Sequence, residues 1–565
     1  MFTHRLSHYL ILLGITALLT LPNLGTHALW DMDEGVNVEC TREMLEAGTW
    51  VVPTFNWELR TAKPIMLYWL QRLSFLAFGI GEWSARFPSA LLGMGSVLLC
   101  YELGRRMFDA QTGLLAGIIL ASTIQFCLLS HAATPDAPLI FFTLLTFFFF
   151  WRGHEHGGRG WFILPAIASG LAVLSKGPIG LALPALVVLS YFAWNRELLR
   201  ILDRRLLLGG LIWCLVALPW YILVTAETRG EYIAAFLGNH NVNRFVQPME
   251  GHRGPVFYYV LAMFVFFAPW SCFLGLTLWE AIRQTRSFRH TPTGDPASAV
   301  EFASDIPMGT RASRFLLAWF LIYLVFFSAA ATKLPNYIGP LYPALATLTA
   351  RFLICWQRQQ VQPYGWVMRL GLVGMIIVAL ATTAGLLIAS GVIPLSTPNF
   401  RVFPGLEFWS LIGAVPLLGA MLMYRFFRRD DRTAFVQTLA VTSVAYVGLI
   451  AAFPPLVIDQ YKAAKSLAFE AGAVQPQREF RIGTCQFFPE SLVFYAQRRV
   501  EKLHNLQEVS DFLATPIPCR VFVPQPIWEQ FLAGRLSVPY RIVARRYDFL
   551  KNAEILVLAN EEESE

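Results

Sequence analysis

The chain has 565 residues, of which 55% are apolar and only 15% charged, and its mean hydropathy is +0.49. Soluble chains carry roughly 25% charged residues, and even large domains bury only about three quarters of their chain surface, so a water-soluble globule is excluded and lipid must cover much of the apolar surface. The formal net charge of +7 does not point to nucleic acid, because the arginines sit in short loops between apolar runs.

Taken in chain order, apolar runs of membrane-spanning length recur from end to end. They predict helices near residues 6–22, 84–107, 111–129, 136–152, 160–175, 178–194, 206–225, 255–277, 314–331, 337–355, 366–390, 406–427 and 433–453. The fifth and sixth of these are short and read either as a tight pair or as one broken region. His4-Arg5 before the first run resembles the start of a signal peptide, but the first crossing keeps the loop charges on one side, so it reads as an uncleaved helix.

The segment 23–83 is rich in acids and aromatics: Asp31, Asp33, Glu34, Glu39, Glu43 and Glu46 with Trp30, Trp50 and Trp57. Within it, Glu39 to Ala47 predicts a short helix ended by Gly48. Pro64 to Phe78 is apolar but carries Gln71 and Arg72, the pattern of an amphipathic helix lying on the membrane. Later loops alternate in charge. Arg105-Arg106, Arg152 with Arg159, residues 195–205 with four arginines, 283–314, 358–369 and 425–432 form an arginine-rich set, which the positive-inside rule places in the cytoplasm. The intervening loops, 23–83, 130–135, around 176, 226–254, 332–336 and 391–405, then face outward with the tail. The loop from about Gln284 to Arg311, with His290-Thr-Pro-Thr-Gly-Asp-Pro, reads as a linker.

The composition divides the chain into a membrane domain over 1–453 and a small soluble α/β domain over 454–565. In the latter, Arg481 to Cys485, Val500 to Leu503, Arg520 to Val523, Tyr540 to Ala544 and Glu554 to Val557 predict strands, and Ser491 to Gln497 a helix. No nucleotide-binding glycine signature occurs there. The eight cysteines show no metal spacing. Six lie in or beside apolar segments, as small buried side chains do, and Cys485 and Cys519 are a candidate disulfide if the tail is exported.

Ionisable groups at one mouth of a helical bundle are costly and point to function. Asp33-Glu34, Lys63, Asp136, Lys176, His240, Arg244, Arg253, Lys333 and Tyr337 are all predicted on the outer face. Cations around a pocket suit a phosphate or pyrophosphate, and an acid among them can orient or deprotonate an acceptor. Each residue also has a structural reading. Asp33 and Asp136 fit helix N-caps, Lys176 and Lys333 fit interfacial snorkels, and His240, Arg244 and the His252-Arg253 pair fit a surface loop or headgroup anchor.

The motifs resemble those of the GT-C membrane glycosyltransferases, in the protein-mannosyltransferase-like bacterial group that includes the lipid A aminoarabinose transferases. The stretches carrying the resemblance are Trp30-Asp-Met-Asp-Glu-Gly, Thr41-Arg-Glu-Met-Leu-Glu-Ala-Gly-Thr-Trp, Lys63-Pro, Tyr68-Trp, Ala85-Arg-Phe-Pro-Ser-Ala, Leu103-Gly-Arg-Arg-Met-Phe, Ser175-Lys-Gly-Pro and Lys333-Leu-Pro-Asn-Tyr-Ile. The resemblance implies a mainly α, polytopic bundle of about 13 helices with a small extracytoplasmic α/β domain, in a bacterial inner membrane. It implies inverting sugar transfer from a polyprenyl-phosphate donor to an outward-side acceptor, either lipid A, another glycolipid or a protein. Asp33, with Glu34, corresponds to the family's catalytic acid. Lys63, Lys176, Arg244 and Tyr337 correspond to its donor-phosphate site, and Asp136, His240, Lys333 and Arg253 to the surrounding pocket. Some members use a divalent cation, which Asp33-Glu34 alone do not specify. The chain departs from the aminoarabinose transferases at Val36-Asn37, where they carry Arg-Tyr, and at Ala62, where they carry an acid. These departures leave the sugar and acceptor open. A reading of another class, a polytopic flippase or transporter, predicts mid-membrane acids and repeated halves, and neither pattern is seen in the sequence.

Overall fold

The computed structural model describes residues 2–156, 162–248, 251–286, 306–395, 397, 400–473 and 479–560. Arg159 and the linker motif beginning at His290 lie outside the described residues. Each of the thirteen predicted segments contains helix. After α1 (Phe2–Thr20), the first connecting segment forms α2 (Glu34–Glu46), a two-stranded turn β1 (Thr54–Phe55) and β2 (Glu58–Leu59), and α3 (Met66–Phe78). The bundle continues through α4 (Glu82–Met107), α5 (Ala110–Ala121), α6 (Ile124–His131), α7 (Asp136–His156), α8 (Ile163–Lys176), α9 (Ile179–Trp194), α10 (Arg205–Glu227) and α11 (Glu231–Leu237). It closes with α12 (Tyr258–Phe266), α13 (Leu274–Arg286), α14 (Met308–Ala329), α15 (Tyr342–Gln357), α16 (Gly365–Ala389), α17 (Ala414–Arg428) and α18 (Arg432–Ala452).

Among the described residues, eight helices are long and apolar enough to cross a membrane, two further helix pairs qualify as bent spans, and three shorter apolar helices remain. The segment Pro335–Gln357 sits at the centre, with 94% of its apolar window buried, whereas Gly365–Ala389 buries only 17% and lies at the lipid-facing rim. α4 and α5 approach closely because Gly113 has no side chain. A Cβ there would lie 2.5 Å from the Tyr101 carbonyl oxygen, and small residues are what let membrane helices pack backbone to backbone.

The two bent pairs have chemical causes. α5 and α6 meet at 64° across Ser122-Thr123, where both hydroxyls donate back to carbonyls of the preceding turn. The Trp270 indole donates to Ser122 Oγ at 3.1 Å. Trp270 itself opens the second half of the pair that bends by 116° after α12, just beyond Pro269, which has no N–H to continue a helix. The fifth and sixth segments are a tight pair: α8 and α9 are joined by Gly177-Pro178, with Gly177 at φ +85°, a left-handed position that favours glycine.

α2 begins at Glu34, five residues before the predicted start, because the acids of its first turns are buried and paired rather than solvated. α3 fits the expected surface helix: Gln71 and Arg72 are buried while Leu73, Leu76 and Phe78 are exposed. Arg72 stacks on Trp50 at 4.0 Å. The tail forms α19 (Ala463–Glu470), β3 (Arg481–Cys485), α20 (Glu490–Ala496), β4 (Val500–Leu503), α21 (Leu506–Leu513), β5 (Cys519–Pro524), β6 (Arg541–Asp548) and β7 (Ala553–Ala559). The sheet order is β4-β3-β5-β7-β6, with β3 parallel to β4 and β5 and the last two strands antiparallel. The candidate disulfide does not form. Arg481 is opposite Cys519 in the register, so Cys485 lies at the other end of the neighbouring strand, and both thiols are free and buried.

A Gly113→Val substitution should force α4 and α5 apart and cost about 1–3 kcal/mol, as overpacking does. Thermal unfolding of the purified protein in detergent would show it as a lower melting temperature.

Candidate active site

Segment 23–83 holds eight acids, and the six before Gly48 are separated by their partners. Glu39 and Glu46 both bind Arg42, at 2.8 and 2.5 Å. Glu43 accepts from Thr54 Oγ1 at 2.6 Å and from the Trp57 backbone. Asp31 accepts from the Ser491 N–H at 2.9 Å, at the start of α20. Glu34 is fully buried against Arg86, and Asp33 is exposed. Asp33 is the one of the six with no side-chain partner among the described residues.

The Glu34–Arg86 pair explains why. Arg86, near the start of α4, donates to both Glu34 carboxylate oxygens at 2.9 and 2.6 Å and to the carbonyls of Leu24, His27 and Ala28. Glu34 also accepts from the Trp30 and Ala133 N–H groups at 2.9 and 2.7 Å. Burial alone would raise the Glu34 pKa, but the Arg86 charge and these hydrogen bonds hold it well below the usual carboxylate range. The expectation of Glu34 as a catalytic acid is therefore corrected. Its oxygens are consumed by Arg86 and two backbone groups, and it positions the chain instead.

The tail secures the same segment from the other side. Glu490 Oε2 accepts from the Met32 N–H at 3.2 Å, and Met32 has φ +70°. A Cβ on Gly35 would lie 2.6 Å from the Ser491 nitrogen, so only glycine allows α2 to approach α20 so closely. Burial pushes the Asp31 carboxyl up to about 6, partly offset by its bonds to Ser491, with Glu490 and Asp548 adding to the rise. Asp33 thus lies in a loop clamped between the bundle and the tail.

The remaining candidates converge on a cavity of about 560 Å³. Lys63, Lys176, His240, Arg244 and Tyr337 line it, together with apolar Ile179, Phe245 and Phe327. Lys63 is half-buried, and its backbone carbonyl is fixed by the Tyr232 hydroxyl at 2.8 Å. Its ammonium has no hydrogen-bond or ion-pair partner among the described residues. Burial and the neighbouring Lys176 and Arg244 charges push the Lys63 pKa down to about 8, against the opposing pull of Asp136 and Asp33. That coupling places Asp33 within electrostatic reach of Lys63. Lys176, at the tip of the α8–α9 turn, pairs with Asp136 and lies 5.2 Å above the Tyr337 ring. The second Asp136 oxygen accepts from Asn336 Nδ2 at 3.0 Å. His240 Nε2 is 3.3 Å from Thr61 Oγ1.

Two expectations fail here. Lys333 does not line the cavity: its ammonium donates to the carbonyls of Phe327, Ser328 and Ala330 at 3.0, 2.6 and 2.5 Å. All three of its protons cap the end of α14, where a cation is favoured. Arg253 does not line it either. Its backbone bridges to Thr332, holding the two outer loops together. Asn336 and Tyr232 were not anticipated as site-supporting residues, and neither has a sequence signal that separates it from ordinary interfacial polar groups. Of the three departures from the aminoarabinose transferases, only Ala62 lies on the cavity wall; Val36 and Asn37 are buried in α2. Among the described residues, no group of three His, Cys, Asp or Glu side chains comes together to hold a metal ion.

The helical bundle thus carries, at one end, a largely apolar cavity walled by Lys63, Lys176 and Arg244. Residues 62–223 match the family described as dolichyl-phosphate-mannose-protein mannosyltransferase. The chain is 32% identical to the undecaprenyl phosphate-alpha-4-amino-4-deoxy-L-arabinose arabinosyl transferase of Pseudomonas paraeruginosa, over 63% of this chain and 61% of that one. It is 29% identical to an uncharacterized protein of Aquifex aeolicus over 87% of each. Its fold matches the crystal structure of ArnT from Cupriavidus metallidurans bound to undecaprenyl phosphate, with a TM-score of 0.77 at 23% identity over 99% of this chain and 98% of that one. The match spans about three fifths of the arabinosyl transferase's length. These matches make the chain similar to the protein-mannosyltransferase-like bacterial membrane glycosyltransferases, the group that includes the aminoarabinose transferases.

Leaving Glu34 buried without its cation should be severe. Arg86→Leu is expected to cost about 3–5 kcal/mol, seen as a large fall in melting temperature. Lys333→Ala, which only uncaps a helix end, should cost about 1 kcal/mol.

Proposed function

We propose that this protein transfers a sugar from a polyprenyl-phosphate donor to an acceptor on the outward, periplasmic face of a bacterial inner membrane. The observation that carries the reading is Lys63, an ammonium with no ion-pair partner among the described residues, flanked by Lys176 and Arg244 on the wall of an apolar cavity. A phosphate would supply the missing negative charge, and the apolar walls suit the start of a polyprenyl chain. The named relatives act on undecaprenyl phosphate-linked sugars, which agrees with this chemistry.

In the proposed reaction, an acceptor oxygen attacks the anomeric carbon of the donor sugar. The bond from that carbon to the phosphate oxygen breaks, and its electron pair leaves with the polyprenyl phosphate. Single displacement inverts the anomeric centre. Lys63, Lys176 and Arg244 stabilise the charge that develops on the leaving phosphate, with Tyr337 beside them. Asp33 takes the acceptor proton as general base. Asp136 holds Lys176 in place, and His240 lines the donor side. The acceptor in this proposal is a glycolipid, lipid A or another. Ala62 removes a charge from the wall beside Lys63, which alters the sugar contacts but not the phosphate contacts.

Asp33→Asn should lower the transfer rate by about 10²–10⁴ with donor affinity nearly unchanged, measured with purified protein in proteoliposomes. Full transfer by this variant would remove Asp33 from the role. Lys63→Ala should reduce the rate by about 10²–10³ and weaken donor binding. The Lys63 ammonium is charged below its pKa and neutral above it, so affinity for polyprenyl phosphate should fall as pH rises through about 8. Lys63→Arg keeps its charge at that pH and should flatten the profile. A wild-type affinity that stays constant from pH 7 to 9 would contradict the assignment.

A further inference from the structure

A second cluster of cations lies at the opposite end of the same bundle. A cavity of about 440 Å³ is bounded by Trp194 at the end of α9, by Leu278, Ile282, Thr285 and Arg286 of α13, and by Arg314, Leu317 and Phe320 of α14. α9 and α14 also reach the reaction cavity, through Ile179 and through Phe326 and Phe327. Arg314 and Phe326 are twelve residues apart on α14, so the two cavities are separated by about 18 Å of helix rise.

Arg314 is only 6% exposed. Among the described residues its side chain makes one hydrogen bond, from Nη1 to the Asn195 side-chain oxygen at 2.9 Å, a neutral acceptor. Its Nε is buried with no partner. The nearby carboxylates are already engaged. Glu280 binds Arg283 at 2.6 Å, and Glu197 binds Arg311 at 3.0 Å. Arg286 is exposed at the rim and has no ion-pair partner among the described residues. A guanidinium this deeply buried is strongly unfavourable without a counter-charge. Two other arginines at this end do have one: Arg105 binds Glu102 at 2.6 Å and Arg358 binds Asp109 at 2.8 Å.

We propose that this cavity binds the phosphate of an anionic phospholipid headgroup from the leaflet opposite the reaction cavity. The guanidinium fork matches two phosphate oxygens, and basic pockets between membrane helices are known headgroup sites. Trp194 has the amphipathic ring favoured at that depth. The flanking Leu278, Leu317, Phe320 and Leu321 give acyl chains an apolar wall. The lipid supplies a counter-charge that Arg314 does not find among the described residues. It ties α13 to α9 and α14, the two helices that also reach the reaction cavity.

The test uses full-length protein purified in detergent and measured by native mass spectrometry with phosphatidylglycerol, with phosphatidylcholine as the zwitterionic reference. Wild type should retain phosphatidylglycerol preferentially. Arg314→Gln should reduce that retention about ten-fold, the loss expected for one charge-assisted contact. Arg286→Gln alters an exposed side chain that makes no fold contact, so its weaker but measurable loss keeps the test decisive if the Arg314 variant does not fold. Phosphatidylglycerol should raise the wild-type melting temperature and not that of the variants. Equal retention by wild type and Arg286→Gln would overturn the proposal, as would equal retention of the two lipids. Displacement of the lipid by millimolar inorganic phosphate would show a free-anion site and overturn the assignment to lipid.

Discussion

One buried ion pair organises the end of the bundle where the segment between α1 and α4 lies. That segment of about sixty residues folds as two short helices and a two-stranded turn, joined by loops that need outside partners. Arg86 solves this by offering one guanidinium to three carbonyls and to Glu34 at once. Glu34 in turn gathers the Trp30 and Ala133 N–H groups. The pair is expensive to desolvate, and it is stable because every donor and lone pair in it is used. Its position starts α2 at Glu34, which leaves the preceding Asp33 exposed.

The tail completes that arrangement from the other side of the segment. Asp31 accepts from the first turn of α20, Glu490 accepts from Met32, and Asn56 exchanges hydrogen bonds with both backbone groups of Val500. These contacts join segments more than four hundred residues apart. The soluble domain is thereby part of what holds the Asp33 loop, and Gly35 is a glycine because the two helices approach too closely for a Cβ.

The charge pattern inside the cavity has a simple logic. Asp136 pairs with Lys176 and accepts from Asn336, while the Lys63 ammonium has no such partner among the described residues. Burial first, and then the neighbouring Lys176 and Arg244 charges, push the Lys63 pKa down.

Much of this was legible in the chain itself. Hydropathy alone located the helical segments and the one end where acids and cations gather, because a bilayer imposes length and loop charge on any sequence that crosses it. The residue types suited to phosphate and to proton transfer were legible too. Their division into workers and supports was not. Asp33 and Glu34 are neighbours with the same chemistry, and only the position of Arg86, fifty-two residues on, sends one into a buried pair and leaves the other exposed. Lys63 and Lys333 both precede a proline-bearing loop, yet one faces the cavity and the other spends its three protons on the carbonyls that end α14. Local patterning determines where a segment lies in the membrane. Which of two equivalent charges finds a partner depends on groups brought near by the tertiary fold, and that partner decides whether the charge is available for chemistry.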